Sequence, residues 1–126
     1  MTPGRPVQVE ESGITVVGRL EVAETPWARM RGLLGRQGLP RDMGLMIRPC
    51  GSVHTWFMRF PIDVLFLDGE DRVVRIVSSL RPFRAASCLG RAVAVLETAA
   101  GVADAIGLRE GDRLVTEEPT NKDRWL

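Results

Sequence analysis

The sequence predicts an α+β fold that is mostly β: a compact single domain with a curved mixed or antiparallel sheet, or a barrel-like core, and two short helices. Three observations lead to this fold class. Several short runs of β-branched and apolar residues are separated by turn residues, a pattern typical of strands. Only two stretches carry apolar residues at helical spacing. Strands and helices do not alternate regularly, which argues against a doubly wound parallel sheet.

The first half of the chain contains two predicted strands and one predicted helix. Residues 14–23 indicate a strand, because they include two β-branched valines and then an alternation of apolar and polar side chains. Thr25 and Pro26 are a favourable helix start, because threonine caps the first turn and proline has no N–H that would lack a partner there. Helical spacing continues to Gly35, through Trp27, Met30, Leu33 and Leu34. Residues 45–47 indicate a short buried strand.

A β-hairpin is predicted in the second half of the chain. Residues 62–67 are apolar except for Asp63, and a run of this length is typical of a strand buried on both faces. The turn residues 68–71 and the β-branched run 72–77 complete a hairpin with a four-residue loop. Beyond it we expect a strand at 92–97, a helix capped by Thr98 with Gly107 in the left-handed conformation past its end, and a last strand at 114–115.

Composition narrows the classes of function. The chain has 126 residues, which fits one domain, and 17 basic against 16 acidic side chains give a net charge of +1. This balance argues against an obligate nucleic-acid binder. No window approaches about 18 uninterrupted apolar residues, so no membrane span is expected. Residues 1–6 lack the apolar stretch of a secretory signal, so the expected compartment is the cytoplasm, with both cysteines reduced.

The expected layout of the chain has three parts. Residues 1–12 are rich in proline and polar residues and are expected to be a flexible N-terminus. Residues 13–116 are expected to form the globular domain. Residues 117–126 are expected to be a polar C-terminal tail.

The stretch from Cys50 to Asp68 concentrates the reactive and aromatic side chains. It contains the only histidine, one of two cysteines, and three of four phenylalanines. Cys50 and His54 are four positions apart. If the fold brings them into contact, His54 would act as the base that activates the Cys50 thiolate. Each also has a structural interpretation: a small buried hydrophobe for Cys50 and a hydrogen-bonded structural residue for His54. No cysteine spacing matches a zinc motif, and we expect no metal site and no cofactor.

Asp63 is the third catalytic candidate. Within a buried strand its carboxylate must be paired or protonated, because an unpaired buried charge costs several kcal/mol. The expected partners are His54, Arg59, Arg48 or backbone N–H groups of the preceding loop. Asp63 then either holds the 54–61 loop in place or acts as an acid, or as the residue that orients His54.

The candidate binding residues surround the same stretch. Exposed aromatic and methionine side chains form pocket walls, and Trp56 and Met58 are expected at such a cleft, whereas Phe57 and Phe60 are expected in the core. Arginine favours carboxylate and phosphate groups, so a small-molecule or anionic ligand is a possible partner. The Glu97 carboxylate either stabilises the N-terminus of the following helix or lines the cleft. The binding candidates are Trp56, Met58, Arg59, Arg84 and Glu97.

Seven motifs in order resemble one family. They are R-x-R-G-L-L-G-R (29–36), L-P-x-D-x-G-L-M-I (39–47), H-T-W-F-M-R-F-P-I-D-V-L-F-L-D (54–68), V-V-R-I (73–76), V-L-E (95–97), A-G (100–101) and G-D-R-L (111–114). Together they resemble the bacterial and archaeal family called domain of unknown function 192, in a C-x-x-x-H-T subtype. The resemblance implies a compact, strand-rich domain and carries no established activity, cofactor or partner.

Three hypotheses of function follow. The first is a binding module for a small ligand or peptide, with a cleft around residues 50–63. The second is a hydrolase or transferase in which Cys50 is the nucleophile and His54 the base. The third is a structural or partner-binding protein, in which these residues affect stability alone.

Overall fold

The centre of the fold is a five-stranded sheet that is covered on both faces. The computed structural model describes residues 1–25, 37–56 and 58–116. A single helix, α1 (Val102–Ile106), is found in those ranges. In chain order the strands are β1 (Val7–Val9), β2 (Thr15–Val17), β3 (Arg19–Ala23), β4 (Met43–Ile47), β5 (Ser52–His54), β6 (Ile62–Leu67), β7 (Val73–Leu80), β8 (Ala85–Ser87), β9 (Ala94–Ala99) and β10 (Leu114–Thr116).

The strands form three sheets. The central sheet has the order β3-β4-β9-β6-β7, in which β3 and β4 are parallel and all other neighbours are antiparallel. A three-stranded antiparallel sheet has the order β10-β1-β2, and β5 pairs with β8 as an antiparallel ribbon. The prediction of a mostly β domain with a mixed sheet is confirmed. In the described ranges the central sheet is open, with edges at β3 and β7, rather than a closed barrel.

Strand β6 shows how the central sheet serves two cores. Every residue of β6 is buried. Leu65 and Leu67 pack into a first core, together with β1, β2, β10 and α1. Val64 and Phe66 pack into a second core, together with Val53 of the β5–β8 ribbon and other residues. Because side chains alternate along a strand, one continuous apolar run supplies both cores. The shared sheet makes the described residues one domain.

The predicted hairpin is confirmed with small differences. β6 spans the predicted residues 62–67, whereas β7 begins at Val73 and continues to Leu80. The pairing is antiparallel, with register shifts near Asp63 and between Phe66 and Leu67. In the connecting loop, Asp68 Oδ1 accepts the backbone N–H of Glu70 and of Arg72, at 2.8 and 3.0 Å.

The strand predicted over residues 14–23 is divided into two. β2 lies in the three-stranded sheet and β3 in the central sheet, with Gly18 between them. A Cβ atom at Gly18 would lie 2.0 Å from Oδ1 of Asp42, so a larger residue would displace that exposed side chain. The chain changes sheets at this point, a change that the apolar alternation does not reveal.

A strand also lies where a flexible N-terminus is expected. β1 pairs with both β10 and β2, and Val7 is fully buried. Two valines on either side of Gln8 are too short a pattern to predict a strand, and residues 3–6 contain two prolines and a glycine, which favour a loop. The non-local partner strands supply the stabilisation that the local sequence does not show.

The second predicted helix starts later than expected. Thr98 lies inside β9 and is fully buried, so it does not cap the helix. Gly101 is the N-cap instead, with φ 92°, and turns the chain from β9 into α1. Gly107 has φ 68° beyond the helix end, as predicted. The other predicted helix falls within residues 26–36 and lies outside the described ranges. No helix in those ranges is long and apolar enough to cross a bilayer.

Gly101→Ala is expected to lower the free energy of unfolding by about 1–2 kcal/mol, because alanine is strained at a left-handed backbone conformation. Gly69→Ala is the matched control, since an added Cβ there meets no atom within 4 Å and its φ is not left-handed. Its expected change is within about 0.5 kcal/mol. Urea denaturation measures both variants, and equal destabilisation by the two would contradict this role of Gly101.

Candidate functional site

A groove on the outer face of the β5–β8 ribbon brings polar and aromatic side chains together. Its volume is about 500 Å³. The lining residues come from β5, from β8, from the segment after β5 and from β7. They are Ser52, Val53, His54, Trp56, Arg75, Ala85, Ala86 and Ser87.

Strand alternation explains which side chains of the ribbon reach the groove. Val53 and Ala86 are opposite each other in the β5–β8 register and are buried in the second core. Their neighbours on both strands are therefore turned outwards. His54 is paired with Ala85 and is exposed. The short sequence S-V-H thus places its apolar residue inwards and its polar residues on the groove side.

Thr55 holds the segment after β5 against the loop at residues 81–84. It is fully buried, and its N–H donates to the Arg84 carbonyl at 2.8 Å. Its hydroxyl donates to the Arg81 carbonyl and accepts the Arg84 N–H at 2.9 Å. Its carbonyl accepts the Phe83 N–H at 3.0 Å. Sequence analysis did not identify Thr55 as a functional residue. Its position between His54 and Trp56, which are both exposed, follows the strand-like alternation that turns every second side chain inwards.

Three exposed rings lie side by side at this end of the ribbon. The His54 and Trp56 ring centroids are 6.2 Å apart, and those of Trp56 and Phe83 are 6.3 Å apart with the planes at 68°. Trp56 is 47% exposed and Phe83 is 53% exposed. Phe83 also has φ 60°, an unusual conformation for a bulky residue. The bonds to Thr55 fix this conformation, so the loop presents the Phe83 ring towards solvent.

Arg75 links the central sheet to the ribbon. Its guanidinium donates to the Ser87 carbonyl and lies 6.0 Å from the centroid of the Phe66 ring. These contacts fix the direction of a side chain that also lines the groove. Sequence analysis missed Arg75, because β7 and β8 are brought together by tertiary packing rather than by a local motif.

Asp63 is buried on the opposite side of the central sheet from His54. One of its carboxylate oxygens accepts the Ser79 N–H at 2.8 Å, and the other accepts the Ala103 N–H at 3.0 Å. Ala103 belongs to the first core, whereas β5 covers the second. The carboxylate is therefore paired with backbone groups, though not with those of the preceding loop. The structure does not bring Asp63 together with His54.

Cys50 lies beside the ribbon and outside the groove lining. It is half-buried against the second core, and its thiol donates to the Ser52 carbonyl at 3.0 Å. Bonds from Cys88 N–H to the Gly51 carbonyl and from Thr55 N–H to Arg84 show that the odd-numbered backbone groups of β5 face β8. The Ser52 carbonyl thus lies on the outer edge of β5. Cys50 and Cys88 both pack against the second core, and no disulfide joins them.

The remaining candidates are distributed between surface and core. Met58, which was expected at a cleft, is buried in the second core and does not line the groove, and Phe60 is buried in the same core. Glu97 is fully buried within β9, opposite Val64 of β6, and neither caps a helix nor lines the groove. Arg59 and Arg84 are exposed. Phe57 lies outside the described residues.

No metal-binding cluster is found in the part of the chain that the structure describes. No three histidine, cysteine, aspartate or glutamate side chains gather there with the geometry of a metal site.

Comparison with known proteins places the chain in a family. Residues 7–116 match the DUF192 family model, described as "Uncharacterized ACR, COG1430". The chain belongs to the DUF192 family. A UPF0127 protein of the archaeon Pyrococcus horikoshii is 31% identical over 110 residues, which cover 83% of this chain and 93% of that protein.

Two further DUF192-like chains show how far the similarity extends. A UPF0127 protein of Thermococcus sibiricus is 33% identical over 101 residues, or 77% of this chain. The match covers 65% of that relative, so this chain spans just under two thirds of its length. A crystal structure of a protein of unknown function from Novosphingobium aromaticivorans has a TM-score of 0.75 at 27% identity, covering 87% of this chain and 83% of that one. The fold of this DUF192 chain is therefore shared with a solved protein of unknown function.

Asp63→Ala is expected to lower the free energy of unfolding by about 2–5 kcal/mol, because the buried N–H of Ala103 and the part-buried hydrogen bond to Ser79 N–H both lose their acceptor. Asp63→Asn retains one acceptor oxygen and should have a smaller effect. Glu110→Gln, at an exposed position, is the control for removing a carboxylate and should change stability by less than about 0.5 kcal/mol. Chemical denaturation gives all three values. If Asp63→Ala were as stable as Glu110→Gln, the carboxylate would not have the structural role assigned to it.

Thr55→Val is expected to destabilise the protein by about 1–3 kcal/mol, because the Arg84 N–H loses its hydroxyl acceptor in a part-buried hydrogen bond. Amide hydrogen exchange should accelerate at Phe83 and Arg84, whose loop depends on Thr55. Thr55→Ser keeps the hydroxyl and is the control, so it should preserve most of the protection. Unchanged exchange in Thr55→Val would show that the loop is held by other contacts.

Proposed function

We propose that this protein is a binding domain for small molecules and that the ligand occupies the groove on the β5–β8 ribbon. The observation that carries the proposal is the convergence of His54, Trp56 and Arg75 on one groove. These three side chains come from separate segments and differ in chemistry. Together they offer a ring surface, an imidazole and a guanidinium to one ligand.

The size and lining of the groove support a small ligand. Ligand sites usually have volumes of about 300–1,000 Å³ and combine apolar walls with a few polar groups. This groove, at about 500 Å³, is within that range. Trp56 and Ala85 contribute apolar surface, whereas the hydroxyls of Ser52 and Ser87 add hydrogen-bonding groups.

A preorganised rim also supports binding. Thr55 fixes the 81–84 loop through several hydrogen bonds, and Arg75 is held by Ser87 and Phe66. Side chains that are ordered before the ligand arrives reduce the entropy lost on binding. The exposed Phe83 ring is part of this rim.

Binding is favoured over nucleophilic catalysis by where the reactive groups lie. A catalytic cysteine needs its base and the substrate within hydrogen-bonding reach. Cys50 is outside the groove lining, and both oxygens of Asp63 accept backbone N–H groups on the far side of the central sheet. We further propose a cytoplasmic location, a compartment in which both cysteines would remain thiols.

A thermal-shift screen against a metabolite library tests the proposal. A ligand at one hundred times its dissociation constant stabilises a protein by about 2.7 kcal/mol, which for a chain of this size raises Tm by on the order of 10 °C. We expect such shifts to be lost in His54→Ala and in Trp56→Ala. Ile14→Ala removes an exposed apolar side chain outside the groove and should retain them. Shifts that persist in both groove variants would place the ligand elsewhere and refute the proposed function.

A further inference from the structure

We propose that the groove selects small anions that carry a planar ring, with the ring against Trp56 and a carboxylate or phosphate group at Arg75. This inference rests on the proposed function and names the chemical class of its ligand. It follows from the charge around the groove, from the fixed position of Arg75 and from the exposed rings.

The groove lining contains a guanidinium and no carboxylate, although the chain as a whole is nearly neutral. The chain has a net charge of +1, yet no aspartate or glutamate occurs between Arg72 and Leu96. That stretch includes Arg75, the groove strand β8 and the loop that carries Arg84. The eight residues lining the groove also include no carboxylate. An anion entering the groove therefore meets arginine and histidine without a competing acidic side chain in its lining.

Arg75 has the geometry of an anion-binding group. Its guanidinium has five N–H donors, of which the bond to the Ser87 carbonyl uses one. Among the described residues, no carboxylate forms an ion pair with it. Its position over Phe66 restrains the side chain, so the remaining donors keep a defined direction. A planar guanidinium fork matches the two oxygens of a carboxylate or phosphate.

The exposed rings supply the second half of the recognition. Trp56 lines the groove and keeps 47% of its surface exposed, while Phe83 beside it keeps 53%. Large apolar surfaces that remain clustered and exposed are typical of binding sites. A planar ring stacked on an aromatic side chain gains affinity beyond that from the burial of its area. An apolar ring is thus the complementary partner for this end of the groove.

The dimensions favour a molecule with one ring system and one anionic group. A cavity of about 500 Å³ accommodates a ligand of that size. Trp56 and Arg75 both line it, so one ligand can contact the two side chains at once. A neutral ring would contact Trp56 alone, and an anion without a ring would contact Arg75 alone.

Calorimetric titration with matched probes tests this ligand class. The probes are 2-naphthoate and 2-naphthyl phosphate as ring-bearing anions, 2-naphthamide as the neutral ring, and acetate and inorganic phosphate as anions without a ring. At constant pH and ionic strength, we expect at least one naphthyl anion to bind tenfold or more tightly than 2-naphthamide and than its own ringless anion. The preferred headgroup, carboxylate or phosphate, distinguishes the two sources of negative charge.

Variants assign each half of the ligand to its side chain. Arg75→Gln should weaken the preferred naphthyl anion at least tenfold and leave 2-naphthamide unchanged. Arg75→Lys keeps the charge without the fork and should lose part of that affinity; it also serves if Arg75→Gln disturbs folding. Arg72→Gln, an exposed arginine outside the groove lining, should behave as wild type. Trp56→Ala should weaken both the naphthyl anion and 2-naphthamide.

The possible results separate this inference from the proposed function. If 2-naphthamide binds as tightly as the naphthyl anions and loses affinity in Trp56→Ala, the groove is a ligand site but not one selective for anions. If the naphthyl anions bind equally well to Arg75→Gln, Arg75 does not recognise the anionic group and the inference is overturned. If no probe binds at millimolar concentration, the ring-bearing anion class is wrong, while hits in the metabolite screen still test the groove itself.

Discussion

The fold depends on burying the two faces of the central sheet at once. β6 and β9 lie side by side in its interior and have no exposed residue, so each face needs a covering layer. The three-stranded sheet and α1 cover one face, and the β5–β8 ribbon covers the other. Asp63 adds a further requirement, because a charged residue in a fully buried strand needs partners, and backbone N–H groups of β7 and α1 supply them.

The candidate site lies on the β5–β8 ribbon, which is the smaller of the two layers that pack against the central sheet. A two-stranded ribbon is marginally stable by itself. Here Val53 and Ala86 anchor its inner face in the second core, Thr55 joins one of its ends to the 81–84 loop, and Arg75 connects its edge to β7. The same contacts that keep the ribbon in place also fix the side chains on its outer face. A substitution that destabilises the ribbon is therefore expected to disorder the groove side chains as well.

Local signals in the sequence predicted some parts of this arrangement and not others. The β6–β7 hairpin was predictable because an apolar run, a turn and a β-branched run are adjacent in the chain. His54 and Trp56 were identified as candidates from residue type and crowding. Arg75 was missed because its role arises from packing β7 beside β8, and Ala103 was missed as the partner of Asp63 because 40 positions separate them. Met58 was assigned to the cleft because the sequence shows no alternation beyond Trp56 that would place it in the core.

The pairing of β1 with β10 has a consequence for how the protein is made. β1 lies between β2 and β10, and Thr2 N–H donates to the Thr116 hydroxyl at 2.8 Å across 114 positions of sequence. During synthesis on the ribosome, β1 is produced long before β10, its partner at the edge of the three-stranded sheet. That sheet cannot be complete until residues 114–116 have left the exit tunnel. Pairing of such distant segments is slow compared with pairing of sequence neighbours, so closure of the first core is expected to be a late step of folding.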